Sequence, residues 1–280
     1  MSKNMEEQQK YIDIIGEIEK NYALMKKVRP LKECELKYYN NEFSISASHN
    51  SNAIEGNTFT LDETKLLIEK GIVTGAHSLR ESEDIVGYKQ AFDFLYEAVK
   101  EEQPINEEFI KKIHSFVLRG DEEAGQYRTI QNYVGNLTRI VYTPCPPTQV
   151  PEKMKTYVEE VQADCIRNAK FAKQGQFNWV ELFHNLAKHH IEFENIHPFV
   201  DGNGRTGRLL LIYEMILLGL LPVDVRYEER DRYYAAISSY RDKAKYSTRP
   251  ESKTEGMAKL LAESELASMK MWLFIYRVSK

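Results

Sequence analysis

The 280-residue chain is poor in cysteine, with three residues at Cys34, Cys145 and Cys165 and no C-x-x-C pair. An odd, widely spaced set excludes a disulfide scaffold or a zinc ribbon and fits a reducing compartment. It also lacks an excess of basic charge. Lys and Arg number 38 against 42 Asp and Glu, net −4, which disfavours holding nucleic acid by bulk charge. The opening stretch MSKNMEEQQK has no apolar core of the kind a secretory signal needs. The greasiest run, from Leu209 to Val223, is interrupted by Glu214 and falls short of the ~20 residues of a membrane span. There is no internal repeat, no low-complexity segment and no Gly/Ser-rich linker. A cytoplasmic protein with no membrane attachment is the resulting expectation. Length allows one large or two small domains.

What is present is mostly helical periodicity. Tyr11, Ile14, Ile15, Ile18, Tyr22 and Met25 recur at three- and four-residue steps. Thr60-Leu61-Asp62-Glu63 reads as a capping box for a helix that stops at Gly71. Ile85, Tyr88, Phe92, Leu95 and Val99 form a second stripe. Asn106 reads as an N-cap, with Ile105 and Ile110 as a staple, for a helix to about Leu118. Pro151 suits the first position of another helix. Asn178 with Glu181 caps one whose stripe is Phe183, Leu186, Ala187, His190 and Ile191. Gln126 to Tyr142 breaks the pattern: it is rich in Tyr, Val, Ile and Thr around Gly135-Asn136, predicting a β-hairpin. Glu255 to Arg277 predicts a terminal helix.

Chemistry concentrates in His197-Pro-Phe-Val-Asp-Gly-Asn-Gly-Arg-Thr-Gly-Arg208. It lies between two helical patterns, so it is a loop running into a helix whose body is Leu209–Leu218. Gly202 and Gly204 permit unusual backbone angles and close approach of a ligand. Unpaired N–H groups at a helix start attract anions. Arg205 and Arg208, three apart, are misplaced at the positive end of a helix dipole unless a polyanion binds there. Asp201 offers a hard oxygen for Mg²⁺, and His197 can take a proton near neutral pH. Together these describe a phosphate-transfer site. The competing account is a glycine-rich turn with a surface His and two solvated Arg. No Lys-Ser/Thr follows the glycines, so this is not a P-loop.

The segment resembles the Fic signature, His-x-Phe-x-Asp/Glu-Gly-Asn-Gly-Arg-x-x-Arg, at every fixed position. The resemblance spans about 78–240 and includes Gly125-Gln126-Tyr127-Arg128 at the hairpin entry. It implies a mainly α fold, a Fic-type helical bundle with a small β-hairpin flap, and transfer of AMP from ATP to a Ser, Thr or Tyr hydroxyl of a protein. By the resemblance, His197 is the general base, Asp201 holds Mg²⁺, and Gly202, Asn203 and Gly204 form an anion hole. Arg205 and Arg208 contact the outer phosphates, and the flap docks the target by strand addition. A phosphorylating relative carries Lys where this chain has Gly204. Tyr233 and Tyr234 lie where relatives contact adenine, although packing on the core accounts for them equally well.

Upstream, Ser51-Asn52-Ala53-Ile54-Glu55-Gly56-Asn57 alone is a polar helix end with a Gly stop. Beside the signature it resembles the family's inhibitory motif in the subclass with an N-terminal inhibitory helix. Ser51 and Glu55 are its fixed residues, and Glu55 is expected to pair bidentately with Arg208. The division that follows is 1–77 as a helical arm with this motif, 78–245 as the catalytic core and 246–280 as a terminal helix. His184, His189 and His190 lack metal-ligand spacing, with His190 expected partly buried. The chain after Tyr240 is short for a winged helix, so direct DNA binding is not expected. A homodimer and self-modification are admitted by the resemblance. Two rival functions stand beside AMP transfer: AMP removal, with Glu55 positioning a water, and a non-catalytic nucleotide-binding module locked by Glu55.

Overall fold

Four of the helices begin at a residue whose side chain accepts from a free backbone N–H of the first turn. A computed structural model describes residues 3–136, 139–174, 177–240 and 254–279, as ten α-helices and one two-stranded hairpin. Helix α1 covers Lys3–Lys27 and α2 covers Glu33–Ile54. Helix α3, Leu61–Lys70, carries the Thr60/Glu63 capping box and ends on Gly71 in the left-handed region. Helix α4, Leu79–Lys100, has a second capping box from Ser78 and Glu81, which the sequence reading missed. Asn106 caps α5, Glu107–Val117. Helix α6, Val150–Gln174, starts one residue before Pro151 and follows a 3₁₀ turn at Pro147–Gln149. Pro151 is harmless in that first turn, where its missing N–H has no helical acceptor. Helices α7, Trp179–Ile196, α8, Asn203–Leu217, α9, Arg230–Tyr240, and α10, Glu255–Val278, complete the order.

The hairpin is shorter than its sequence predicts. Strand β1 is Val134–Asn136 and β2 is Arg139–Tyr142, antiparallel, with Gly135 opposite Ile140 and Asn136 opposite Arg139. Gly135 and Asn136 therefore lie in the first strand, not at the turn; residues 137–138, between the strands, are outside the described set. Residues 126–133 form no strand because their polar groups are used elsewhere: Arg128 and Asn132 bind backbone carbonyls around the 196–200 loop. Ile130, Tyr133, Ile140 and Val141 stay exposed.

Helix α8 organises the interior. Its body is buried on every side, with Leu209, Leu210, Leu211 and Ile212 all at most 2% exposed, the pattern of a fully surrounded helix. Leu211 and Met215 pack into one core with α1, α7, α9 and α10, while Leu209, Leu210, Ile212 and Tyr213 pack into a second with α2, α4, α5 and α6. At about 1.5–3 kcal/mol for each fully buried aliphatic side chain, these contacts fix the axis of α8 and so the loop that feeds it. Among the described residues, no helix is long and apolar enough to cross a membrane.

Candidate active site

The site is built where α7 ends and α8 begins. His197 terminates α7 with φ +51°, a left-handed conformation uncommon for a side-chain-bearing residue. Such a backbone persists only when its surroundings over-determine it. Here the His197 N–H donates to Phe193 O at 2.9 Å and the His197 carbonyl accepts from Arg128 Nε at 2.8 Å. Arg128 is buried and also donates to the carbonyls of Cys145 (2.6 Å), Ile130 (3.1 Å) and Ile196 (3.4 Å). Burial lowers its pKa, yet guanidinium stays charged, so a cation caps the negative end of α7.

The loop 198–202 is held from below and from the side. The His114 ring stacks on Phe199 at 3.6 Å between centroids. Its Nδ1 accepts from the Gly125 N–H at 2.8 Å, so the proton sits on Nε2, which donates to Asp201 O at 3.0 Å. Burial drops this imidazole to about 4, leaving it neutral. Asn132 donates to the carbonyls of Phe199 and Val200. The Asn203 amide closes a two-way bond with Phe199, both arms 2.9 Å. That side chain is committed to the loop, so what Asn203 can offer an anion is its backbone N–H. Helix α8 has no side-chain N-cap, and Gly202 enters it with φ +72°. Its first-turn N–H groups thus face the site.

The two arginines diverge. Arg205 reaches α4, where it pairs with Asp84, and lies 3.5 Å from Asp201 Oδ2. Arg80 joins this mouth, 3.3 Å from Asp84 and 3.7 Å from Asp201. Arg208 reaches α2. Its Nη2 donates to Glu55 Oε1 at 2.7 Å and to Ser51 O at 2.9 Å, and its Nε donates to Ser51 Oγ at 2.8 Å. Tyr233 Oη accepts from Nη1 at 3.3 Å and bonds His190 Nε2 at 2.8 Å. Arg208 is buried, and the acidic and phenolic groups around it outweigh the burial penalty, so its pKa is pushed further up. The pairing with Glu55 uses one carboxylate oxygen, not the bidentate grip expected; Ser51 supplies the remaining acceptors. The same Oε1 lies against Gly204, where any Cβ would collide with it. A carboxylate over the start of an uncapped helix and on an arginine occupies an anion position.

Asp201 is exposed at 66%. Its Oδ1 accepts from the Gly202 N–H at 2.7 Å, and its Oδ2 lies beside the guanidiniums of Arg205 and Arg80. Among the described residues no group of three acidic, His or Cys side chains could hold a metal alone. A single carboxylate oxygen suits Mg²⁺, which takes few protein ligands and completes its shell with phosphates and water.

Tyr233 differs from its expected exposure to a base: it is 1% exposed and braces Arg208, whereas Tyr234 is at the surface with its hydroxyl 3.3 Å from Ile54 O. His190 is fully buried rather than partly so. Sequence reasoning missed Arg80, Asp84, His114 and Asn132, and read Arg128 only as part of the flap entry. Each acts through contacts from distant positions, and nothing in the neighbouring sequence marks that role.

Comparison with known proteins agrees with this geometry. The Fic/DOC family matches residues 104–215, which contain the whole 197–208 segment. Protein adenylyltransferase fic-1 of Caenorhabditis elegans is 34% identical over 189 residues, 66% of this chain and 34% of that protein. Protein adenylyltransferase Fic of Nematostella vectensis is 29% identical over 196 residues, 68% of this chain and 42% of that protein. The chain thus matches well under half the length of these relatives. Among solved structures, Fic-1 of C. elegans superimposes with a TM-score of 0.76 at 25% identity, covering 98% of this chain and 74% of that one. A Fic-domain-containing signaling protein of Bacteroides thetaiotaomicron gives 0.77 at 24% identity, covering 93% and 97%. With the signature intact on a loop shaped for an anion, and the fold shared over nearly the full chain, the protein carries a Fic/DOC family domain over residues 104–215.

Proposed function

We propose that the protein transfers AMP from ATP to a hydroxyl of a protein and that Glu55 restrains it. The observation that carries this reading is the Glu55 carboxylate seated on both Arg208 and Gly204: an internal anion stands where the segment's chemistry calls for a phosphate. The relatives named adenylyltransferases support the reaction class.

In this reading the nucleotide's phosphates lie across the first turn of α8. Backbone N–H groups of Asn203 and Gly204 and the side chains of Arg205 and Arg208 bind them. Asp201 Oδ2 would hold Mg²⁺, which neutralises charge on the departing pyrophosphate. The target hydroxyl oxygen attacks the α-phosphorus and its proton passes to His197. The bond from that phosphorus to the bridging oxygen breaks, and pyrophosphate leaves. The exposed edge of β2, with Ile140 and Val141, receives the target segment. Tyr234, at the surface beside the end of α2, is the ring placed to contact adenine; Tyr233 positions Arg208. While Glu55 holds Arg208, that guanidinium cannot grip the γ-phosphate, and the α-phosphate is not aligned for attack.

A second reading, removal of AMP by a water on Glu55, draws on the exposure of that carboxylate, 37%, toward the site. Incubation with ATP labelled on the α- or the γ-phosphate tests the main reading. Label on protein from the α-position alone supports AMP transfer. Label from the γ-position, or none from parent and Glu55→Gly protein alike, sinks it. AMP-modified protein losing its label only when Glu55 is intact would establish the reverse activity.

A further inference from the structure

Helix α2 is held by more than its contact with Arg208. One turn before Ser51, the segment leaving α8 closes over it. Asp224 Oδ2 accepts from Ser46 Oγ and from Asn50 Nδ2, each at 2.7 Å. Asn50 Nδ2 also lies 3.2 Å from Ser46 Oγ, and Asn50 Oδ1 accepts from the Tyr227 N–H at 3.1 Å. The same segment is tied to α10 on its other side: the Asp224 N–H donates to Ser264 Oγ, and Ser264 Oγ–H donates to Asp224 O. A single carboxylate therefore pins two turns of the helix that carries Ser51 and Glu55, and it does so from a loop anchored at both ends by the core. Half-buried and bonded by neutral donors, Asp224 has no cation within salt-bridge distance among the described residues; burial raises its pKa while Ser46 and Asn50 lower it.

We infer that Asp224 is a positioning residue for inhibition: its clasp on Ser46 and Asn50 sets the depth of α2 so that Glu55 reaches Arg208. This rests on the reading of Glu55 as a restraint. The clasp is the natural control point because it touches neither nucleotide nor Glu55. It lies at one wall of a cavity of about 550 Å³ between α2, α3 and α10, floored by Phe43, Ile45 and Leu260, so the back of α2 has space to move into. Charge-assisted hydrogen bonds are roughly twice as strong as neutral ones, so Asp224→Asn weakens the clasp without removing its bulk. Substitutions that act on coupling from outside the ligand site typically move it by a factor of about 2–30.

The test compares AMP transfer from α-labelled ATP in the parent, Asp224→Asn, Glu55→Gly and the double variant. Asp224→Asn should run about 2–30-fold faster than the parent and add less than about twofold to Glu55→Gly. Amide exchange over 46–55 should quicken in Asp224→Asn, with α5 unchanged. If Glu55→Gly is activated but Asp224→Asn matches the parent, the clasp is refuted; equal acceleration in both backgrounds refutes it as well. If Glu55→Gly is itself no faster than the parent, the restraint reading fails and the clasp falls with it. Ser46→Ala, which removes one donor and leaves the carboxylate in place, serves if Asp224→Asn melts early; it should show the same dependence on Glu55, and its absence refutes the clasp.

Discussion

Replacing Glu55 with Gly should make the protein faster and slightly less stable at once. Arg208 loses its one carboxylate partner, at 2.7 Å, but keeps Ser51 Oγ, Ser51 O and Tyr233 Oη. Breaking a buried ion pair costs about 3–5 kcal/mol when it leaves a bare charge. Here three acceptors remain and Glu55 is 37% exposed, so solvent already screens the pair; the expected loss is about 1–2 kcal/mol. Position 55 is the C-cap of α2, with φ −86°, a conformation Gly also adopts, so the backbone adds little. On the activity side, the freed guanidinium can hold the γ-phosphate and align the α-phosphate. A misplacement of ~1 Å costs about 10²-fold in such reactions, and a gain of that order is expected. The assay pairs AMP transfer at saturating ATP with thermal unfolding in the absence of nucleotide. Adding Arg208→Ala should abolish the gain, because the residue set free is gone. A Glu55→Gly protein no faster than the parent would refute the restraint, and a gain surviving Arg208→Ala would refute the route through Arg208.

Other substitutions probe separate parts of the reading. His197→Ala should cut AMP transfer by about 10²–10⁴ while calorimetry finds ATP affinity nearly intact; near-normal labelling would remove His197 as the base. Asp201→Ala should lower turnover and raise the Mg²⁺ concentration at half-saturation, and an unchanged Mg²⁺ curve would exclude it as the ligand. Glu265 is fully buried on α10, and burial raises its carboxyl to about 8, opposed only by the Leu221 N–H. A folded pKa above the ordinary value means its stability is full below about 4.5 and is lost as pH rises through 8. Glu265→Gln should therefore flatten the decline between about pH 4.5 and 8 and gain on the order of 3–5 kcal/mol at pH 8; a denaturation profile parallel to the parent's would contradict this.

The helices were legible because their signals are local. Thr60 with Glu63, Asn106 with Phe109 and Asn178 with Glu181 are contacts three residues apart, and each forms as the sequence implies. The hairpin was legible in kind but not in extent, because the residues that shorten it bind carbonyls 67–69 positions away. The segment from His197 to Arg208 was legible because its loop and helix start are contiguous. Its supports were not: Asp84 for Arg205, His114 for Asp201 and Arg128 for His197 come from three different elements, and nothing near them in sequence marks them for that work.

That division bears on how restraint and chemistry are joined. Arg208 stands buried on α8, while Ser51 and Glu55 stand at the C-terminal end of α2, Ser51 buried and Glu55 37% exposed. Under the proposed restraint, opening the pair is a movement of Glu55 rather than of Arg208, whose helix is packed into both cores. Ser46 and Asn50, held by Asp224, and Ser51 and Glu55, held on Arg208, lie on opposite sides of the last turns of α2, so this end of the helix is gripped from two directions. On that reading, a binding event that draws this end of α2 away from α8 frees the arginine and leaves the loop from His197 to Gly202 in place, because its supports are Arg128, His114 and Asn132 and not residues of α2.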